Sequence, residues 1–134
     1  CPDVAAKLQA DMAKAGLRAR IRAIANAELL ATYRAQNHQM VLAGWSPDFP
    51  DPDGNATPWA DYSARSLAWR NSYQDEVAAR LARQAALEAD TNKRKALYKV
   101  LTERVLHQGP YAVLYQPAQP IALSAKVEGS SRTP

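Results

Sequence analysis

One loop of this chain holds the residues best suited to chemistry: Gly44-Trp45-Ser46-Pro47-Asp48-Phe49-Pro50-Asp51-Pro52-Asp53-Gly54. Pro47, Pro50 and Pro52 stiffen it, and it presents the aromatic plate of Trp45 and the isolated carboxylate of Asp48. It follows a purely apolar run, Met40-Val41-Leu42-Ala43, which reads as a buried strand. The carboxyl end of a buried strand is where an α/β fold usually places a ligand. Trp45, Ser46 and Asp48 are therefore the candidate binding residues.

Other chemistries fit poorly. Asp48, Asp51 and Asp53 before Gly54 have the look of a calcium loop. Setting Gly54 at the sixth loop position, however, puts Phe49 at the first ligand position and Ala60 at the bidentate twelfth, so an EF-hand is rejected. Asp51-Pro52-Asp53-Gly54 reads instead as turn chemistry: proline presets φ, aspartate bonds nearby amides and glycine supplies a positive φ. No Gly-x-Ser-x-Gly elbow, phosphate-cradling glycine loop or His-Glu-x-x-His motif occurs. Ser46 has no identifiable base, and His38 and His107 lie on separate elements as partly exposed histidines without zinc-ligand companions. The expectation is a binding protein, not an enzyme, with no catalytic residue, metal or cofactor.

The elements that position this loop follow from periodicity. Val4, Leu8 and Met12 mark a first helix, with Pro2 suited to its first position and Gly16 to its end. Arg18, Arg20 and Arg22 alternate with Ala19, Ile21 and Ala23, the period of a strand with one wet face. A short helix over Glu28 to Ala35 precedes the strand Gln39–Trp45, and this order implies a parallel pair with a crossover helix. Val77, Leu81 and Ala85 then mark a helix, and Asp90 or Thr91 caps a second with a Leu97, Leu101, Val105 stripe supplemented by Val100. Gly109-Pro110 stops it, Tyr111–Tyr115 reads as an interior strand, and Ile121–Val127 as a last extended segment. Asp51 to Ser72, rich in Trp59, Tyr62, Leu67 and Trp69 but without clear periodicity, is expected to be the least regular part. The fold expected is α/β, a mixed and mostly parallel sheet flanked by helices, over residues 1–128, with a flexible tail at 129–134.

Composition sets wide bounds. With 17 Lys+Arg against 13 Asp+Glu the chain is mildly basic, and 47% hydrophobic content suffices for one core. No apolar run approaches membrane-spanning length. The single cysteine excludes an internal disulfide framework. Cys1 reads as the start of a fragment rather than a lipid-bearing terminus, because a helix begins at once where a lipid anchor calls for a flexible tether. No secretion signal is recognised.

The Gly-Trp-x-x-Asp…Asp-Pro loop resembles that of family 5 extracellular solute-binding proteins, the peptide/nickel class of bacterial ABC-transporter binding proteins. Asp3-Val4-Ala5 to Gly16-Leu17, Ala68-Trp69-Arg70-Asn71-Ser72-Tyr73, Gln84-Ala85 with Asp90, Lys93-Arg94 and Leu97-Tyr98, and Gly109 to Pro117 are similar to the family in the same order. The resemblance implies the C-terminal lobe of a longer periplasmic protein with a periplasmic-binding-protein-like fold. Its other lobe would be missing here, and its partners would be a small solute or peptide and the ABC permease, reached at the membrane surface. In peptide-binding members the carboxylate matching Asp48 pairs with the solute's α-ammonium group, and Trp45 would form a wall of the cleft. Peptide, opine, sugar and chelated metal all remain open as solutes. The resemblance also implies that Gln116-Pro117-Ala118-Gln119-Pro120 lies at the lobe boundary.

The alternative is a nucleic-acid-binding domain, using the Arg18, Arg20, Arg22 stripe for phosphates and the tryptophans for stacking. Acids interspersed among the helical arginines, such as Glu76 before Arg80, make the helix faces ordinary solvated ones. The expectation is no nucleic-acid partner.

Overall fold

The computed structural model describes residues 2–118, 122–124 and 126–127, so Cys1, the 129–134 tail and, within the Ile121–Val127 segment, Ile121 and Ala125 lie outside the described residues. The order of elements is α1 (Pro2–Lys14), α2 (Asn26–Arg34), α3 (Asp53–Ala60), a 3-10 turn (Tyr62–Ala64), α4 (Leu67–Arg70), α5 (Glu76–Leu87) and α6 (Thr91–Gln108).

Helix ends follow local chemistry closely. Gly16 takes φ +80 after α1, and the Leu17 N–H closes back on the Met12 carbonyl at 2.9 Å, the usual left-handed stop. Asp75 caps α5 by accepting from the amides of Val77 and Ala78 at 3.0 and 3.1 Å. Asp90 caps α6 through Asn92 and Lys93, both at 2.9 Å. Gly109 ends α6 as expected.

The core is helical. Ala60 of α3, Ala78 and Ala82 of α5, and Leu101 and Val105 of α6 are buried together, with Trp59, Tyr73, Tyr98 and Tyr111 packed around them. The buried face of α5 is Ala78, Ala79, Ala82 and Ala85, one position off the expected Val77, Leu81, Ala85 stripe. Alanines let α3 and α6 approach α5 closely, so the longer Val77 and Leu81 stay at the margin.

The expected mixed parallel sheet is overturned: among the described residues no strand forms. The three segments read as strands within 18–47 and 111–115 are irregular and make no ladder with one another. Their apolar residues remain in solvent, with Ile21 49%, Met40 69% and Val113 61% exposed. An apolar run makes a strand only where another strand completes its hydrogen bonds, and the helices bury their apolar faces on one another instead.

Asp51 to Ser72 also differs from expectation. It carries α3, the 3-10 turn and α4, and Ala60, Asp61, Leu67 and Ala68 within it are buried. Gly54, Asn55 and Pro58 give α3 poor intrinsic helix propensity, so its helix rests on packing against α5 and α6. Tyr62 and Trp69 pack at 4.9 Å between ring centroids, and Arg65 lies 4.3 Å over the Trp69 ring.

Three ion pairs tie this segment and the α4–α5 junction to the hairpin: Asp51 with Arg94 at the end of the 44–54 loop, Asp61 with Arg83, and Asp75 with Arg104. Asp61 accepts from Ser63 N–H at 2.9 Å, Ser63 Oγ–H at 2.6 Å and Arg83 Nη1 at 2.7 Å. Asp75 accepts from Arg104 Nε at 2.6 Å and Tyr73 O–H at 3.0 Å. Desolvation opposes ionisation of both carboxyls. The hydrogen bonds from Ser63 to Asp61, from Arg104 and Ala78 to Asp75, and the arginine charges outweigh it, holding both below the ordinary carboxylate range.

Candidate functional site

The loop that carries Trp45, Ser46 and Asp48 runs from the irregular 41–47 segment into the first turn of α3. Trp45 is half-buried, and its Nε1–H donates to Asn55 Oδ1 on α3 at 3.0 Å. Ser46 and Asp48 are exposed. Asp48 has no hydrogen-bond or ion-pair partner among the described residues, leaving its carboxylate free to accept from a ligand. Trp45 and Asp48 are three residues apart, so their Cα atoms lie within about 11 Å of one another.

The end of the loop is held by a second set of contacts. Asp51 accepts from the Asp53 amide at 2.8 Å and from Arg94 Nη2, on α6, at 2.7 Å. Thr57 Oγ1–H donates to Asp53 at 2.7 Å. These bonds agree with the turn reading of Asp51 and Asp53. Gly54 serves differently from expectation, since its φ is not positive and it lies inside α3. A Cβ there would stand 2.8 Å from Pro47 Cβ and 3.2 Å from the Phe49 carbonyl, so the glycine admits the close approach of the loop.

Arg94 is fixed from several directions. Its Nε–H donates to the Ala85 carbonyl on α5 at 3.1 Å and its Nη2 to Tyr98 Oη at 3.1 Å. The Arg94 hydrogen bond, and then the Asp53 amide, hold the Asp51 carboxyl below the ordinary range. Sequence reasoning missed Asn55 as the Trp45 partner and Arg94 as the Asp51 partner. Arg94 lies 43 positions from Asp51, a distance over which spacing carries no signal.

A groove of about 380 Å³ lies elsewhere, on the α5–α6 hairpin, lined by Leu81, Glu88, Lys93, Ala96, Leu97 and Val100. Its wall is apolar, and the Glu88 carboxylate already accepts from the Asp90 amide at 2.8 Å. The free carboxylate and aromatic ring of the 44–54 loop offer the better chemistry for recognition. Among the described residues no three His, Cys, Asp or Glu side chains group to hold a metal. His38 packs edge-on to Tyr33 at 5.1 Å, and its Nδ1 is buried without a partner among the described residues. On the basic stripe, Arg22 pairs with Glu28 at 2.6 Å.

Comparison with known proteins gives curated relatives of one kind. The chain is 33% identical over 118 residues to di/tripeptide-binding protein 4 of Pseudomonas aeruginosa, covering 87% of this chain and 22% of that protein. It is 24% identical over 127 residues to the probable D,D-dipeptide-binding periplasmic protein DdpA of Escherichia coli, covering 94% and 25%. It is 25% identical over 138 residues to the peptide transport periplasmic protein SapA of Haemophilus influenzae, covering 98% and 24%. The chain thus spans about a quarter of the length of these relatives. No family model and no solved structure matches it. The relatives are periplasmic peptide-binding proteins of the family 5 solute-binding class, and the chain matches a fragment of one.

Proposed function

We propose, on the premise of this homology, that the chain is part of the solute-binding component of an ABC importer, and that the solute is a short peptide. The observation that carries the reading is homology over nearly the whole chain to proteins named for dipeptide and di/tripeptide binding. The exposed Asp48 carboxylate beside Trp45 supports it. In this reading Asp48 pairs with the peptide's α-ammonium group, the Trp45 ring covers the first residue, and Ser46 contributes a hydroxyl at the rim. A carboxylate–ammonium pair gains most when the cleft excludes water and both charges keep their hydrogen bonds.

The rest of the reading concerns the longer protein. The chain would form the C-terminal lobe, a second lobe would close over the peptide about a hinge, and the closed form would be recognised by the permease at the periplasmic membrane face. The work is capture and delivery, with no bond made or broken.

Calorimetric titration of the full-length protein with alanyl-alanine tests this. Asp48→Ala should weaken binding by at least about thirtyfold, the usual cost of removing one member of a dehydrated charge pair. N-acetyl-alanyl-alanine should bind poorly to both proteins. Equal affinity of wild type and Asp48→Ala for the free peptide would remove Asp48 from the site.

A further inference from the structure

We propose that Arg94 is the positioning residue of the Trp45–Asp48 loop, acting through Asp51 without itself touching the peptide. The inference rests on the peptide-binding reading of that loop. Two side-chain hydrogen bonds tether the loop to the helical body, beside the approach of Pro47 and Phe49 to Gly54. The first, Trp45 Nε1–H to Asn55, joins it only to α3, ten residues on. The second, Arg94 to Asp51, reaches α6. Asp48 stands between the two tethers with no hydrogen bond or ion pair of its own among the described residues. Its neighbours Pro47 and Phe49 lie against Gly54 of α3, so its position depends on how firmly the loop is held there and at both tethers.

Three features make Arg94 a clamp rather than an incidental surface pair. The guanidinium is fixed in advance, by Nε–H on the Ala85 carbonyl and Nη2 on Tyr98 Oη, with the Tyr98 ring 5.1 Å away. A donor already held loses little further freedom when it bonds. The pair is half-shielded, with 28% and 38% of the two side chains exposed. Finally, Asp51 Oδ1 takes both the Arg94 bond and the Asp53 amide, so the clamp acts where the loop turns into α3. Lysine would retain the charge but lose the geometry of a planar fork reaching two acceptors.

The test uses Arg94→Gln and Arg94→Lys, read in two ways. Amide hydrogen exchange on this chain should accelerate at Asp51, Asp53 and Gly54, the hydrogen-bonded amides at the end of the loop, in Arg94→Gln, while the amides of Leu101 and Val105 in α6 remain protected. Arg94→Lys should recover part of the loop's protection. In the full-length protein, Arg94→Gln should weaken alanyl-alanine binding roughly tenfold, the scale of one lost charge-assisted bond, with partial rescue in Arg94→Lys. Loop exchange unchanged in Arg94→Gln would overturn the clamp. Faster loop exchange with unchanged peptide affinity would overturn its positioning role. If wild-type protein fails to bind the peptide, the binding reading fails and with it the positioning role, while the exchange result still decides the clamp. Should Arg94→Gln lose protection throughout α6, Asp51→Asn tests the same bond from the loop side, with the same expected and refuting results.

Discussion

Gly109→Ala should destabilise this fold by an amount calculable from its surroundings. Gly109 has φ −78 and ψ 163, which any residue adopts, so its requirement is space. A Cβ there would stand 2.4 Å from the Val105 carbonyl oxygen and 3.0 Å from the Tyr111 ring. The first neighbour is backbone and cannot swing aside, so the turn itself must move. Movement breaks the 2.9 Å bond from Gly109 N–H to Val105 and withdraws Tyr111 from its seat. Tyr111 packs on Trp59 at 4.7 Å and Tyr73 at 5.9 Å, and its O–H donates to the Trp59 carbonyl at 3.1 Å. Two hydrogen bonds at about 1 kcal/mol each and two ring pairs at about 0.5–1.5 each set an upper bound near 5 kcal/mol. Partial loss, less the roughly 0.4–1 kcal/mol by which alanine restricts the unfolded chain, leaves about 2 kcal/mol. For a chain of this length that is a fall of about 8 °C in Tm. Urea unfolding followed by circular dichroism measures the first quantity and a thermal scan the second. Tyr111→Phe, which removes only the hydroxyl bond, should cost about 1 kcal/mol, and its effect should be much less than additive with Gly109→Ala. A Gly109→Ala protein within about 0.5 kcal/mol of wild type, the range of ordinary surface changes, would refute the reasoning.

Leu101, 2% exposed, should cost about 3 kcal/mol when cut to alanine, whereas Val100→Ala beside it should fall within about 0.5 kcal/mol; equal costs by urea unfolding would mean the face of α6 is misassigned. The folded pKa values of Asp61 and Asp75 are depressed, so their contribution is fully present above the unfolded aspartate value of about 3.9 and is lost as pH falls through the lower folded values. Unfolding free energy should therefore decline below about pH 4, and Asp75→Asn should flatten that decline; an unchanged slope would show that Asp75 carries none of it. Gly54→Ala should push Pro47 and Phe49 off α3 and shift Trp45 fluorescence with little change in the α5–α6 helices; an unaltered Trp45 signal would show that the loop yields without moving.

Much of the helical layout was legible because caps and stops are local chemistry. Gly16, Asp90 and Gly109 each act on amides or carbonyls within a few residues, so residue type and position suffice to place the ends of α1 and α6. Family resemblance was legible for a similar reason: short motifs in order survive without knowledge of their contacts. The sequence shows the spacing of Trp45 and Asp48 on one loop, though not the tethers to Asn55 and Arg94 that hold that loop.

What only the tertiary structure decided was everything that depends on a distant partner. Apolar Gln39–Trp45 and Tyr111–Tyr115 satisfy the pattern of strands, but a pattern does not supply a neighbouring strand, and among the described residues none pairs with them. Conversely, Asp53–Ala60 looks unfit for a helix and becomes one because α5 and α6 present a surface on which its alanines bury. Local rules fixed where helices begin and end; packing across tens of residues fixed which face each one buries, and which loop Arg94 would hold.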